Sequence, residues 1–144
     1  MSDVLATPAG TFLYPIGYAA PGSENLVLSL MYSYPQALLL DVRLRARSRW
    51  FPAWNRRALE ARWGTRYIHE PRFGNVNYQY PRRPIELADP DAVVPWAASL
   101  LQQGYHLLVL CACKDYLRCH RKVVVERIYQ RCLEGVHDAS NRTD

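Results

Sequence analysis

Two short, unbroken apolar runs, QALLLDV (36–42) and HLLVLCA (106–112), constrain the fold more than any other feature of the chain. Neither alternates with polar residues, as a strand with one wet face would. Runs of this kind fit strands covered on both faces, the habit of parallel sheets. FLYPIG (12–17) reads as a first strand, and RYIHEP (66–71) as a weaker one stopped by Pro71. Helical patterns lie between and after them: SENLVLSLMYSY (23–34), RRALEARWG (56–64), residues 90–103 and residues 119–133. Strand and helix in alternation predict an α/β domain with a mostly parallel sheet of about four to five strands and right-handed crossovers.

The punctuation agrees with that reading. Ser23 and Asn55 are placed to cap the first two helices, Gly64 to end the second, and Asp89-Pro90 to open the third. Pro95 inside the third helix blurs where it starts. Residues 72–88, RFGNVNYQYPRRPIELA, hold glycine, asparagine and prolines, so an irregular and functional excursion is expected. At 144 residues the chain supports one core, taken as residues 12–134, with 135–144 expected to fray. No apolar segment approaches the roughly 20 residues of a membrane span, and MSDVLATPAG has no basic start followed by an apolar stretch. A soluble, cytoplasmic protein is expected, with no membrane partner and an oligomeric state that the sequence leaves open.

Three of the four cysteines fall within CACKDYLRCHR (111–121). A reducing compartment keeps them as thiols or ligands, and their crowding suits neither stapling nor loop closure. Basic charge is equally local. Between Arg43 and Arg66 stand eight arginines against one acid, Glu60, interleaved with Trp50, Phe51, Trp54 and Trp63. Guanidinium forks bind phosphate in pairs of hydrogen bonds and stack on rings, so this stretch is either a solvated surface or a contact for phosphate or nucleic acid.

In open parallel sheets ligands bind beyond the carboxyl ends of the strands. Those ends here are Gly17-Tyr18, Asp41-Val42-Arg43, His69-Glu70 and Cys111-Ala112-Cys113, so their polar residues should share one rim. Cys119 is expected at the first turn of the last helix, where a thiolate or a phosphate is favoured by unpaired amides, with His120 and Arg121 or Arg118 beside it. A zinc set of Cys111, Cys113, Cys119 and His120 is conceivable, but adjacent helical residues diverge by about 100°. Its spacing also fits no common zinc ribbon, so no metal or other cofactor is assigned. The Cys-x₅-Arg spacing of tyrosine phosphatases is likewise absent, as the chain offers Cys113-x₄-Arg118 and Cys111-x₆-Arg118. Cys111 on the strand and Cys132 on the helix have the alternative of simple burial. Asp41 is either an acid, base or orienter, or the partner that fixes Arg43. His69 has the same choice between base and satisfied rim residue.

CACKDYLRCHRKVVVERI resembles the signature of the domain of unknown function 488 family, with its Leu-Cys-Ala-Glu, charged spacer and Cys-His-Arg. Ile16-Gly17-Tyr18, LLLDVR with Ser48-Arg49-Trp50, and FGNVNYQ around Asn75 resemble further segments of that family in the same order, over about residues 12–133. The resemblance implies a three-layer, Rossmann-like α/β fold and carries Cys111, Cys119, His120, Arg121, Asp41 and Arg43 onto family positions. Cys113 departs, standing where glutamate is usual.

The combined expectation is an enzyme acting on a phosphate-bearing substrate, a nucleotide or nucleic acid. Cys119, His120, Asp41 and Cys113 would carry the chemistry, and Arg43, Arg49, Arg118, Arg121, Tyr18 and Asn75 would hold the substrate. Two alternatives stand beside it: a non-catalytic nucleic-acid module using the arginine and tryptophan surface, and a thiol redox or sulfur-transfer protein.

Overall fold

A computed structural model describes residues 3–112 and 119–140. Five strands form one sheet: β1 (Leu5–Ala6), β2 (Phe12–Gly17), β3 (Ala37–Asp41), β4 (Tyr67–His69) and β5 (His106–Cys111). Their order across the sheet is β1-β2-β5-β3-β4, with β1 antiparallel to β2 and every other pairing parallel. Four helices flank it: α1 (Ser23–Ser33), α2 (Arg56–Trp63), α3 (Pro90–Gln102) and α4 (His120–Ser140).

The apolar runs behave as strands covered on both faces. Leu40, Leu107 and Val109 join a cluster with Val93, Ala97, Leu101, Val124 and Ile128 of α3 and α4. Their neighbours Leu39, Leu108 and Leu110 join another with Val27, Met31 and Leu59 of α1 and α2. The alternation of side chains along a strand thus sends each run into two cores, which is why it could not afford polar residues. No helix among the described residues is long and apolar enough to cross a membrane.

Several local expectations change in detail. Gly22, at φ 80°, precedes α1, and Ser23 donates its hydroxyl to the Tyr18 carbonyl rather than capping the helix. Asn55 does occupy the position before α2, but its Oδ1 accepts from the Ser48 amide at 2.5 Å and so folds the arginine segment back on itself. Gly64 ends α2 at φ 58°, as its sequence position suggests. β1 has no sequence signature, since two residues are too few to show a period. The helix at the end does not stop near Gly135 but continues to Ser140. Gly135 faces α3, where an added Cβ would come within 2.7 Å of the tip of the Gln102 side chain.

Register aligns the strand ends. Gly17 pairs with Cys111, Asp41 with both Leu110 and His69, and the chain continues in step as Tyr18 N–H donates to Cys111 O and Val42 N–H to Leu110 O. The carboxyl ends of β2, β5, β3 and β4 therefore form a single rim.

Candidate functional site

The rim opens into a cleft of about 600 Å³. Its floor holds Cys111, Ala112 and His120 from β5 and α4, with Tyr18 after β2 and Arg43 after β3. One wall is the arginine segment with Leu44, Arg45 and Arg47. The other is the excursion after β4, carrying Asn75, Asn77, Tyr78, Tyr80, Arg83 and Ile85.

Asp41 is fully buried, and its carboxylate is fully engaged by the residues around it. Arg43 donates to Oδ1 from its amide at 3.2 Å and from Nε at 2.9 Å, and to Oδ2 from Nη2 at 2.7 Å. Tyr67 donates its hydroxyl to Oδ2 at 2.6 Å. Arg43 Nη2 also reaches the Trp54 carbonyl at 2.5 Å. Burial alone would lower the Arg43 pKa, but the hydrogen bond and the charge of Asp41 outweigh it and raise the value, so the guanidinium stays charged. Burial, followed by the charge and hydrogen bond of Asp41, raises the Tyr67 hydroxyl well above its usual range. Tyr18 lies under the Arg43 guanidinium, 5.1 Å from ring centroid to Cζ, and its ring stacks on Trp54 at 5.5 Å. In this network Arg43 is only 4% exposed, yet its Nη1 has no hydrogen-bond partner among the described residues. The Nδ1 of His69 is in the same condition, while its Nε2 lies 2.8 Å from Arg43 O.

Beside this network lies a softer one. His120 Nε2 is 2.7 Å from the Val42 carbonyl. A carbonyl only accepts, so Nε2 carries a proton, and in the neutral ring Nδ1 is left with its lone pair. That nitrogen is 3.4 Å from Cys111 Sγ and 4.0 Å from Cys119 Sγ. The three ligand atoms lie within 4.8 Å of one another, and all three residues are buried. The divergence of about 100° that counts against a shared site applies to neighbours on a helix. Here α4 begins at His120, Cys119 precedes it, and the two side chains converge.

The sequence-derived candidates separate accordingly. Tyr18, Asp41, Arg43, His120 and Asn75 come together around the cleft, and Cys119 lies directly beneath, in contact range of the imidazole but not on the cleft lining. Asn75 turns its Oδ1 inward to the amides of Asn77 and Glu86, at 3.0 and 3.1 Å, and so shapes its own loop. Arg121 is buried next to His120, while Arg49 is exposed, stacked over Trp50 and away from the cleft. Cys113 and Arg118 lie outside the described residues.

Sequence reasoning undervalued Cys111, whose position at the end of a buried strand looks like packing, and missed Tyr67 and the Tyr80–Arg83 pair, whose guanidinium sits 4.3 Å from the ring centroid. The aromatic and arginine content of 72–88 was the available signal for the latter. Of the eight arginines in the basic stretch, Arg66 is structural: it donates to the carbonyls of Met31, Tyr34 and Ala37 and so ties the end of α1 to β3. Trp54 is buried, whereas Trp50 is 77% exposed.

Comparison with known proteins now bears on this geometry. A family model described as "Domain of unknown function DUF488" matches residues 26–128, from within α1 to within α4. The chain belongs to the DUF488 family. No curated protein and no solved structure matches it. The DUF488 match encloses every residue named on the cleft except Tyr18.

Proposed function

We propose that this DUF488 protein is an enzyme that binds a phosphate-bearing ligand, of the nucleotide or nucleic-acid class, in the cleft at the strand ends and acts on it with the Cys–His cluster at the floor. One observation carries the reading: a buried arginine, Arg43, stands on the cleft with Nη1 unpartnered among the described residues. A buried guanidinium N–H without an acceptor costs free energy, and an anionic oxygen is its natural complement. Arg45, Arg47 and Arg83 add positive charge to the walls, and Tyr78 and Tyr80 offer faces on which a base can stack. Asp41 then acts as a positioning residue, holding the guanidinium plane through two parallel bonds. The four parallel strands, with helices packed on them, favour the Rossmann-like arrangement in which such rims bind phosphates.

Titration of ¹⁵N-labelled protein with inorganic phosphate and with a mononucleotide at low salt tests this. Shifts at Arg43, His120 and Ala112, reduced about tenfold in affinity by Arg83→Gln and by a paired Arg45→Gln, Arg47→Gln variant, are expected, since each charge-assisted hydrogen bond contributes roughly 1.5–3 kcal/mol. Absence of ligand-dependent shifts at the cleft sinks the reading.

A second reading, a nucleic-acid module without catalysis, draws support from the exposure of Arg45, Arg47, Arg49, Arg56, Arg57 and Arg62 along one chain segment. It predicts steeply salt-dependent binding that Cys111→Ser leaves unchanged.

A further inference from the structure

The geometry points to a soft divalent metal site at Cys111, Cys119 and His120, of the zinc class, with three protein ligands among the described residues and its remaining position toward the cleft. Three features converge on it. The two sulfurs and Nδ1 lie within 4.8 Å of one another, the span that a single ion with bonds of about 2.0–2.3 Å would draw together. His120 presents Nδ1 because Nε2 is committed to the Val42 carbonyl at 2.7 Å, and a ligating histidine ordinarily has its other nitrogen fixed in this way. The donor set is sulfur and imidazole only, which selects zinc-like ions over magnesium or calcium.

Charge also favours the site. Two thiolates cancel a dication, so the ion can sit beside the cationic Arg43 without adding net positive charge to the buried floor. Cys111 and His120 line the cleft while Cys119 does not, so the ion would lie at the floor with protein beneath it and the cleft above. Three protein ligands plus one exchangeable position is the arrangement of catalytic rather than structural zinc. The existence of the site is independent of the phosphate reading. Its use, as a Lewis acid toward a ligand oxygen, rests on that reading.

The test is cobalt(II) titration of the reduced, chelator-treated full chain under anaerobic conditions, read by the thiolate-to-cobalt charge-transfer band and by zinc competition. One ion per chain is expected. Cys111→Ser, Cys119→Ser and His120→Gln should each weaken binding by at least about tenfold, while Cys132→Ser should leave it unchanged. Because a buried variant can fail to fold, protection is measured as well on the unaltered protein: zinc should shield Cys111 and Cys119 from alkylation and leave the slow rate at Cys132 as it was. No charge-transfer band, or zinc that protects neither thiol, overturns the site. Cys113→Ser should change affinity less than about threefold; a larger loss makes Cys113 a fourth ligand and overturns the open position. Inorganic phosphate added to the cobalt form should shift its visible spectrum. An unchanged spectrum with phosphate still bound overturns the catalytic use alone, and a bound ion without phosphate binding retires the cleft reading and leaves the site standing.

Discussion

The ends of β3 and β5 lie side by side and handle buried polar groups in opposite ways. At β3, Asp41 spends both oxygens on Arg43 and Tyr67, and Arg43 spends its Nη2 again on Trp54. Hard charges in a dry site are tolerable only when paired this closely. At β5, Cys111 faces an imidazole whose orientation is fixed from behind while its front nitrogen looks onto two sulfurs. The contrast is one of chemistry: hydrogen bonds between fixed charges build the β3 end of the rim, and polarisable sulfur and imidazole groups gather at the β5 end.

The largest effect should come from breaking the frame. Asp41→Ala strands a buried guanidinium and should cost about 3–5 kcal/mol in urea unfolding; a loss below about 1 kcal/mol would put the β3 end on the same soft footing as β5. Gly74 comes next. A Cβ there would meet Leu44 Cα at 2.5 Å, so the loop after β4 is pressed against the residue following Arg43. Gly74→Ala should cost about 1–3 kcal/mol and spread the cleft walls, seen as weaker phosphate binding with β5 amide shifts nearly unchanged.

Tyr67→Phe removes one of the bonds to Asp41 and should cost about 1–2 kcal/mol. It also has a pH signature. The unfolded chain ionises this phenol at its ordinary value of 10.0 while the folded chain keeps the proton, so native stability falls as pH climbs above that value, and the variant should fall less steeply. A smaller effect is expected at the amino end of β5, opposite the rim, where His106 Nδ1 accepts the Phe12 amide at 3.2 Å. Burial lowers the His106 pKa, so the unfolded state takes up the proton first: stability is full above the ordinary histidine value of 6.5 and declines as pH drops below it. His106→Asn should flatten that acid limb and leave the cleft untouched. Loss of cobalt binding in this variant would mean that the two ends of β5 are not independent.

The mostly parallel α/β sheet was legible because QALLLDV and HLLVLCA admit few alternatives, whereas two apolar faces leave the register unstated, since a slip by one residue exchanges one buried face for the other. Tyr18 and Arg43 follow strand ends, so their meeting on one rim was legible for the same reason, with Asp41 buried behind Arg43. What sequence could not supply was the direction of side chains within that rim. Cys119 and His120 were read as neighbours on a helix, yet a start at His120 frees Cys119 to turn toward its neighbour's ring. Cys111 was discounted because a buried thiol at a strand end and a reactive one have the same sequence context. Burial raises the pKa of Cys132, which suits the purely structural role its helix position suggests.

Val42 is held from two sides, its N–H donating to the Leu110 carbonyl of β5 and its own carbonyl accepting a hydrogen bond from His120 Nε2. It is also the residue between Asp41 and Arg43. The arginine and the imidazole therefore share a pivot one peptide long, and neither can be re-aimed while the other stays still. A pairwise library at Arg43 and His120 should behave as a single lock with two keys: most single changes lose the site, and the combinations that regain it move together.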